Sequence, residues 1–121
     1  MLLVEGDANR RMQLSQALRS EGMPVMAVSG IAEVERWPAG EVVVTDARRF
    51  TPLWKETGAA HVVVLADTDE EGMEACVRGA CAWIPRHCAP GALIDVLYEL
   101  GVTSADAVGT FDRAGSAQQV Q

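Results

Sequence analysis

A run of three valines, Val42 to Val44, restricts the fold of this chain more than any other stretch. It stands in EVVVTD and is too short for a helix, so it predicts a strand buried on both faces, as in the centre of a parallel sheet. Asp46 stands at the end of this strand. A carboxylate at the C-terminal end of a central parallel strand lies where open α/β sheets bind ligands and carry out chemistry. We therefore expect the functional site at this edge of the sheet.

Strand and helix patterns alternate along the rest of the chain. Apolar segments predict four more strands, over residues 2–4, 24–28, 61–65 and 81–84. Between and after the strands, helices with their end residues are predicted over about 7–21, 31–37, 51–58, 68–79 and 90–101. Asp7 and Ser29 are the expected caps of the first two helices, and Thr68 with Glu71 forms a capping box.

Five strands that alternate with five helices predict an α/β fold, a doubly wound parallel sheet with helices on both faces. The common flavodoxin-like strand order is 2-1-3-4-5, and it would place Glu5 beside Asp46 at the point where the order reverses. Residues 1–101 form the predicted domain. From 102 to 121 most side chains are small or polar, which predicts a flexible tail or linker.

Composition and charge exclude several functions. The formal net charge is −7 and the basic residues are scattered, which disfavours direct binding to nucleic acid. No apolar run approaches the length of a membrane span, and the first residues are those of a strand, not of a signal peptide. We therefore expect a cytoplasmic protein that does not bind membranes.

The cysteines suggest neither disulfides nor a metal centre. Three cysteines are an odd number, and we expect them to remain thiols. Cys76, Cys81, His87 and Cys88 could suggest a zinc site, but they contain no C-x₂-C pair, so small buried side chains are the favoured interpretation. The chain also lacks a glycine-rich phosphate loop and a Ser/His/Asp pattern, and we do not expect an enzyme.

Four motifs occur in an informative order: LLVEGD, VVVTD, VVVLAD and RGACAWIPRHCAPGAL. Together they resemble the receiver domain of bacterial two-component response regulators over about residues 1–101. The resemblance implies that Asp46 is the phosphoacceptor and that Glu5 holds the first acidic position. It also implies that Glu5, Asp46 and the main-chain carbonyl of Arg48 bind Mg²⁺, while Asp46 accepts a phosphoryl group from a histidine kinase.

Several positions depart from the receiver pattern. Gly6 occupies the second acidic position of the receiver pattern and has no carboxylate, so we expect no cofactor or only weakly bound Mg²⁺. The position of the switch hydroxyl is Leu65, and the position of the lysine is Arg86, a longer planar cation. Trp83 holds the position of the aromatic switch. With Leu65 in place of a hydroxyl, coupling between a phosphoryl group and this ring is expected to be lost.

These departures predict an atypical, phosphorylation-independent receiver, a pseudo-receiver that acts through protein–protein contacts. Asp46 is then expected to cap the loop after its strand, or to pair with Arg86, which could instead pair with Glu5. The expected partner is a histidine kinase, an output domain or a second copy of the chain in a dimer. Trp83 and Tyr98 are candidates for the partner surface, although Trp83 could equally be a packed residue.

Two alternatives remain open from the sequence. In the first, Asp46 is phosphorylated by a histidine kinase with the help of Mg²⁺. In the second, the chain is a flavodoxin-like cofactor binder or enzyme, because this fold hosts many functions. Purified protein without flavin colour would exclude a bound flavin.

Overall fold

The structure is a computed structural model, and it describes residues 1–34, 40–51, 53–56 and 58–102 of the 121-residue chain. Its strands are β1 (Leu2–Val4), β2 (Met26–Val28), β3 (Val42–Asp46), β4 (His61–Ala66) and β5 (Ala82–Pro85). Its helices are α1 (Ala8–Ser20), α2 (Leu53–Glu56), α3 (Asp69–Val77) and α4 (Pro90–Glu99). The strands are parallel in the order β2-β1-β3-β4-β5, so the predicted α/β, flavodoxin-like fold is confirmed.

The central strands bury side chains on both faces of the sheet. In β4, Val63 and Leu65 belong to one apolar core, and Val62 and Val64 belong to the other. Helices α1 and α4 contribute leucines to the first core, whereas α2 and α3 contribute Trp54 and alanine to the second. The alternation follows from the two-residue period of a strand. The solid apolar runs of the sequence are therefore explained by helices on both faces.

Two helices begin at the residues that the sequence predicts. Asp7 caps α1, where its Oδ1 accepts a hydrogen bond from the backbone N–H of Arg10 at 3.0 Å. Thr68 caps α3, where its hydroxyl accepts from the N–H of Glu71 at 3.1 Å. The Glu71 carboxylate accepts in return from the N–H of Asp67 at 2.9 Å, one residue before the cap. Both helices thus begin shortly after the carboxyl end of a strand, α1 after β1 and α3 after β4.

The helix predicted over 31–37 is not the structure that is found. A single 3₁₀ turn, Ile31–Glu33, stands there, and the residue after it has an extended backbone. The expected cap, Ser29, instead contacts the Glu33 side chain through both its N–H and its hydroxyl. The turn ends after three residues because the backbone of Val34 is extended, with φ −81° and ψ 113°. The remaining residues of the predicted helix, 35–37, lie outside the described part of the chain.

The folded unit extends one residue further than the sequence predicts. Val102, assigned to the tail, is 1% exposed and packs in the core that contains α1 and α4. Its N–H donates to the carbonyl of Leu97 at 2.9 Å. Residues 103–121 lie outside the described part. Among the described residues, no helix has both the length and the apolar character needed to cross a membrane.

Candidate functional site

Two carboxylates lie side by side at the carboxyl edge of the sheet. Residue Val4 of β1 pairs with Thr45 of β3, so Glu5 and Asp46 follow at the same level. The side chains of both are buried. The N–H of Gly6 donates to Asp46 Oδ2 at 3.3 Å and links the two strand ends directly. The structure therefore brings Glu5 and Asp46 together, as the strand order requires.

Glu5 pairs with Arg86, which directly follows the edge strand β5. Arg86 Nη2 donates to Glu5 Oε2 at 2.6 Å and Arg86 Nε donates to Glu5 Oε1 at 3.2 Å, a two-point contact between planar groups. The N–H of Asp7 also donates to Oε2, at 2.9 Å. The hydrogen bond to Glu5 raises the pKa of Arg86, so the guanidinium stays charged. Of the two pairings open from the sequence, the structure contains the one with Glu5.

Asp46 is held by a different arginine, Arg49, three residues further along the chain. Arg49 Nη1 donates to Asp46 Oδ2 at 2.9 Å, and the Arg49 N–H donates to Oδ1 at 2.9 Å. Asp46 thus closes the loop after β3 and accepts a bond at each oxygen. The loop-capping interpretation of this carboxylate agrees with the geometry. Its arginine partner was not predicted. The sequence signal that could have indicated it is the Arg48-Arg49 pair shortly after Asp46, together with a glycine at position 6.

The ion implied by the resemblance is Mg²⁺, and the residues at this site do not fit it. Mg²⁺ is usually bound through one or two carboxylates and several waters, so it needs carboxylate oxygens that are not already paired with a cation. Here Oε1 and Oε2 of Glu5 contact Arg86, and Oδ2 of Asp46 contacts Arg49. Gly6 adds no carboxylate. Across the described residues, no group of three or more His, Cys, Asp and Glu side chains is placed to hold a metal ion, and this includes the cysteines considered for zinc.

The positions that correspond to a receiver's switch residues are packed in the interior or paired. Leu65 is fully buried in the core beside Asp46, its partner in strand register. Trp83 packs against the second core, and its ring lies directly over Gly72 of α3. A Cβ atom built on Gly72 would lie 2.0 Å from Cδ2 of this ring. Trp83 is therefore a packed residue whose ring fits a notch in α3, the space left open by the missing side chain of Gly72.

The two aromatic residues expected on a partner surface do not face the same way. Trp83 packs on the face of the sheet that carries α3. Tyr98 is exposed on α4, and its hydroxyl donates to Glu21 Oε1 at the end of α1 at 2.5 Å. This hydrogen bond raises the pKa of Tyr98. Of the two residues, Tyr98 is the more exposed, and Trp83 is partly buried.

Arg48, whose main-chain carbonyl the resemblance assigns to Mg²⁺, lies beside a groove. Its side chain is exposed and lines a groove of about 110 Å³ between the loop after β3 and α3. Phe50, Glu74 and Arg78 line the same groove, and the Arg78 guanidinium lies 5.6 Å from the centre of the Phe50 ring. The adjacent arginines thus have different environments: Arg49 contacts Asp46, and Arg48 faces the groove.

Comparison with solved structures agrees with the fold. An atypical orphan response regulator, described as having a new phosphorylation-independent regulatory mechanism, matches with a TM-score of 0.65 and 19% identity. The match covers 81% of this chain and 91% of that one. A response regulator protein from Burkholderia multivorans matches with a TM-score of 0.54 and 20% identity over 86% of this chain and 95% of its own. The sequence matches no protein-family model and no curated protein. The chain therefore has the fold of solved response regulators.

Proposed function

We propose that this protein is an atypical receiver module of two-component signalling that acts through protein–protein contacts without phosphorylation of Asp46. One observation carries the proposal: each of the two carboxylates at the strand ends already has an arginine partner, Arg49 on Asp46 and Arg86 on Glu5. An aspartate that accepts a phosphoryl group must present a carboxylate oxygen as the nucleophile. Asp46 is 1% exposed and both its oxygens accept hydrogen bonds, which opposes attack.

The neighbouring residues support the same proposal. A phosphoryl group on Asp46 would meet the apolar side chain of Leu65, which offers no hydrogen bond. The Trp83 ring fills the notch at Gly72 and is confined there by the helix backbone. A signal that began at Asp46 would therefore have neither a hydroxyl to carry it nor a ring that turns easily. The likeness to a regulator described as phosphorylation-independent adds a precedent on the same fold.

As a receiver module, the protein would bind a histidine kinase, an output domain or a second copy of itself in the cytoplasm. We expect this module neither to catalyse a reaction nor to bind nucleic acid. With a net charge of −7, the chain favours protein partners over nucleic acid. Tyr98 is the accessible aromatic residue that we assign to the partner surface.

Intact mass spectrometry tests the proposal. Wild-type protein and Asp46→Asn would be incubated with Mg²⁺ and a saturating small phosphodonor such as acetyl phosphate. We expect no phosphoryl adduct on either protein. An adduct of about 80 Da on the wild type that disappears in Asp46→Asn would support the alternative, a receiver that is phosphorylated on Asp46.

A further inference from the structure

The guanidinium of Arg49 lies over the backbone of Gly6, in the space where a side chain at position 6 would be. A Cβ atom built on Gly6 would be 2.8 Å from Cζ, Nη1 and Nη2 of Arg49. Such a contact is closer than real Cβ atoms approach, so the flexible end of Arg49 would have to shift if position 6 carried a side chain. The glycine therefore leaves room for the Arg49 guanidinium to lie where it contacts Asp46.

The same guanidinium supplies positive charge to a buried carboxylate. Nη1 of Arg49 lies 2.9 Å from Asp46 Oδ2, and Arg86 lies 2.6 Å from Glu5 Oε2. Charges at such distances attract each other, more strongly for the largely buried Arg86 pair than for Arg49, whose side chain is 35% exposed to water. A divalent cation near Asp46 would have to displace Arg49 and would be repelled by Arg86. Arg49 therefore occupies the space that a metal ion would need, and it already supplies positive charge to Asp46.

We propose that Arg49 is a built-in counterion that takes the place of a divalent metal ion at Asp46, and that Gly6 admits it. The inference rests on the proposed function in that it explains how a receiver fold does without a metal. It makes a separate claim, because it concerns metal affinity and not phosphoryl transfer. The consequence is that two substitutions, one at each residue, would turn the closed site into a metal site.

Titration calorimetry with Mn²⁺ tests the inference. The proteins would be the wild type, Gly6→Asp, Arg49→Gln and the double variant Gly6→Asp/Arg49→Gln. We expect the double variant to bind Mn²⁺ at least about tenfold more tightly than the wild type, and more tightly than the two single variants predict together, because the residues are in contact. Equal affinity of the wild type and the double variant would overturn the inference.

A matched control separates occupancy of the site from net charge. Arg78→Gln removes one guanidinium beside the same loop, but from the groove with Arg48 and not from Asp46. We expect Gly6→Asp/Arg78→Gln to bind Mn²⁺ as Gly6→Asp alone does. A gain as large as that of Gly6→Asp/Arg49→Gln would show that any lost cation suffices, and would also overturn the inference.

Two further outcomes keep the test decisive. If the variants with Asp at position 6 do not fold, as judged by circular dichroism, Arg49→Gln and Arg78→Gln are compared in the Gly6 background. There Arg49→Gln alone should raise the affinity for Mn²⁺, and equal affinities would refute the counterion. If the wild type forms a phosphoryl adduct while the Mn²⁺ results agree, the proposed function fails and the counterion survives. If no adduct forms and the double variant gains no affinity, the counterion fails alone.

Discussion

The two sides of the site are closed in different ways. On the β5 side, Arg86 reaches Glu5 across a sequence separation of 81 residues, and its side chain is 18% exposed. On the β3 side, Arg49 reaches Asp46 across three residues, and its side chain is 35% exposed. The first pair joins β1 to β5 and exists only when the sheet is complete. The second lies within one loop. We infer that the β5 side holds the fold together, whereas the β3 side mainly controls access to Asp46.

The largest effect is expected from Arg86→Ala on the β5 side. The substitution would leave the fully buried Glu5 carboxylate without its cation, and breaking a buried pair from one side costs about 3–5 kcal/mol. Urea unfolding followed by circular dichroism would measure the loss. An unchanged midpoint would mean that Glu5 is hydrated or protonated without cost, and the β5 side would then resemble the β3 side.

A double variant tests whether the loss comes from the orphaned charge. Glu5→Gln/Arg86→Met replaces the pair by uncharged side chains of similar size. Because the buried charge is gone, we expect it to recover most of the about 3–5 kcal/mol lost in Arg86→Ala, as measured in the same urea experiment. Equal stability of the two proteins would show that Arg86 acts through packing and not through its charge.

The contact of Trp83 with α3 extends the comparison along the β5 side. Gly72→Ala would place a Cβ atom 2.0 Å from the ring, and the ring cannot withdraw without disturbing the second core. Overpacking of this kind costs about 1–3 kcal/mol, again measured by urea unfolding.

Gly91 of α4 provides a matched control for this substitution. No atom lies within 4 Å of a Cβ built on Gly91. Gly91→Ala should therefore be neutral, or stabilising by up to about 1 kcal/mol because alanine favours helix. Equal effects at the two glycines would contradict the tight fit of Trp83.

The sequence predicted the frame of this molecule better than its site. Apolar runs and caps located all five strands, because burial on both faces leaves a pattern that is local in the sequence. The second helix was predicted wrongly, since the backbone becomes extended at Val34 after a single 3₁₀ turn. Positions Glu5 and Asp46 were located because the strand order brings strand ends together.

The partners of these carboxylates were harder to predict. Arg86 was considered for either carboxylate, and only three-dimensional placement decides between them. Arg49 was missed because its role depends on an absence, the missing side chain of Gly6, which opens space for the guanidinium. A glycine where a carboxylate is expected was interpreted as a loss of metal affinity. In the structure it also leaves room for a new contact, between Arg49 and Asp46.

Among the substitutions that disturb a contact of the site, Arg49→Ala on the β3 side is expected to have the smallest effect on stability. Its guanidinium is partly exposed and pairs within one loop, and such pairs contribute only about 0–1 kcal/mol. Asp46 also keeps the backbone N–H donors of residue 49 and Gly6, which alanine does not remove. Urea unfolding of Arg49→Ala beside Arg86→Ala compares the two sides directly. A loss above about 3 kcal/mol would place Arg49 among the residues that hold the fold, since buried pairs have that weight. A small loss would mean that a single substitution can expose Asp46 while the fold persists, as expected of a side that controls access.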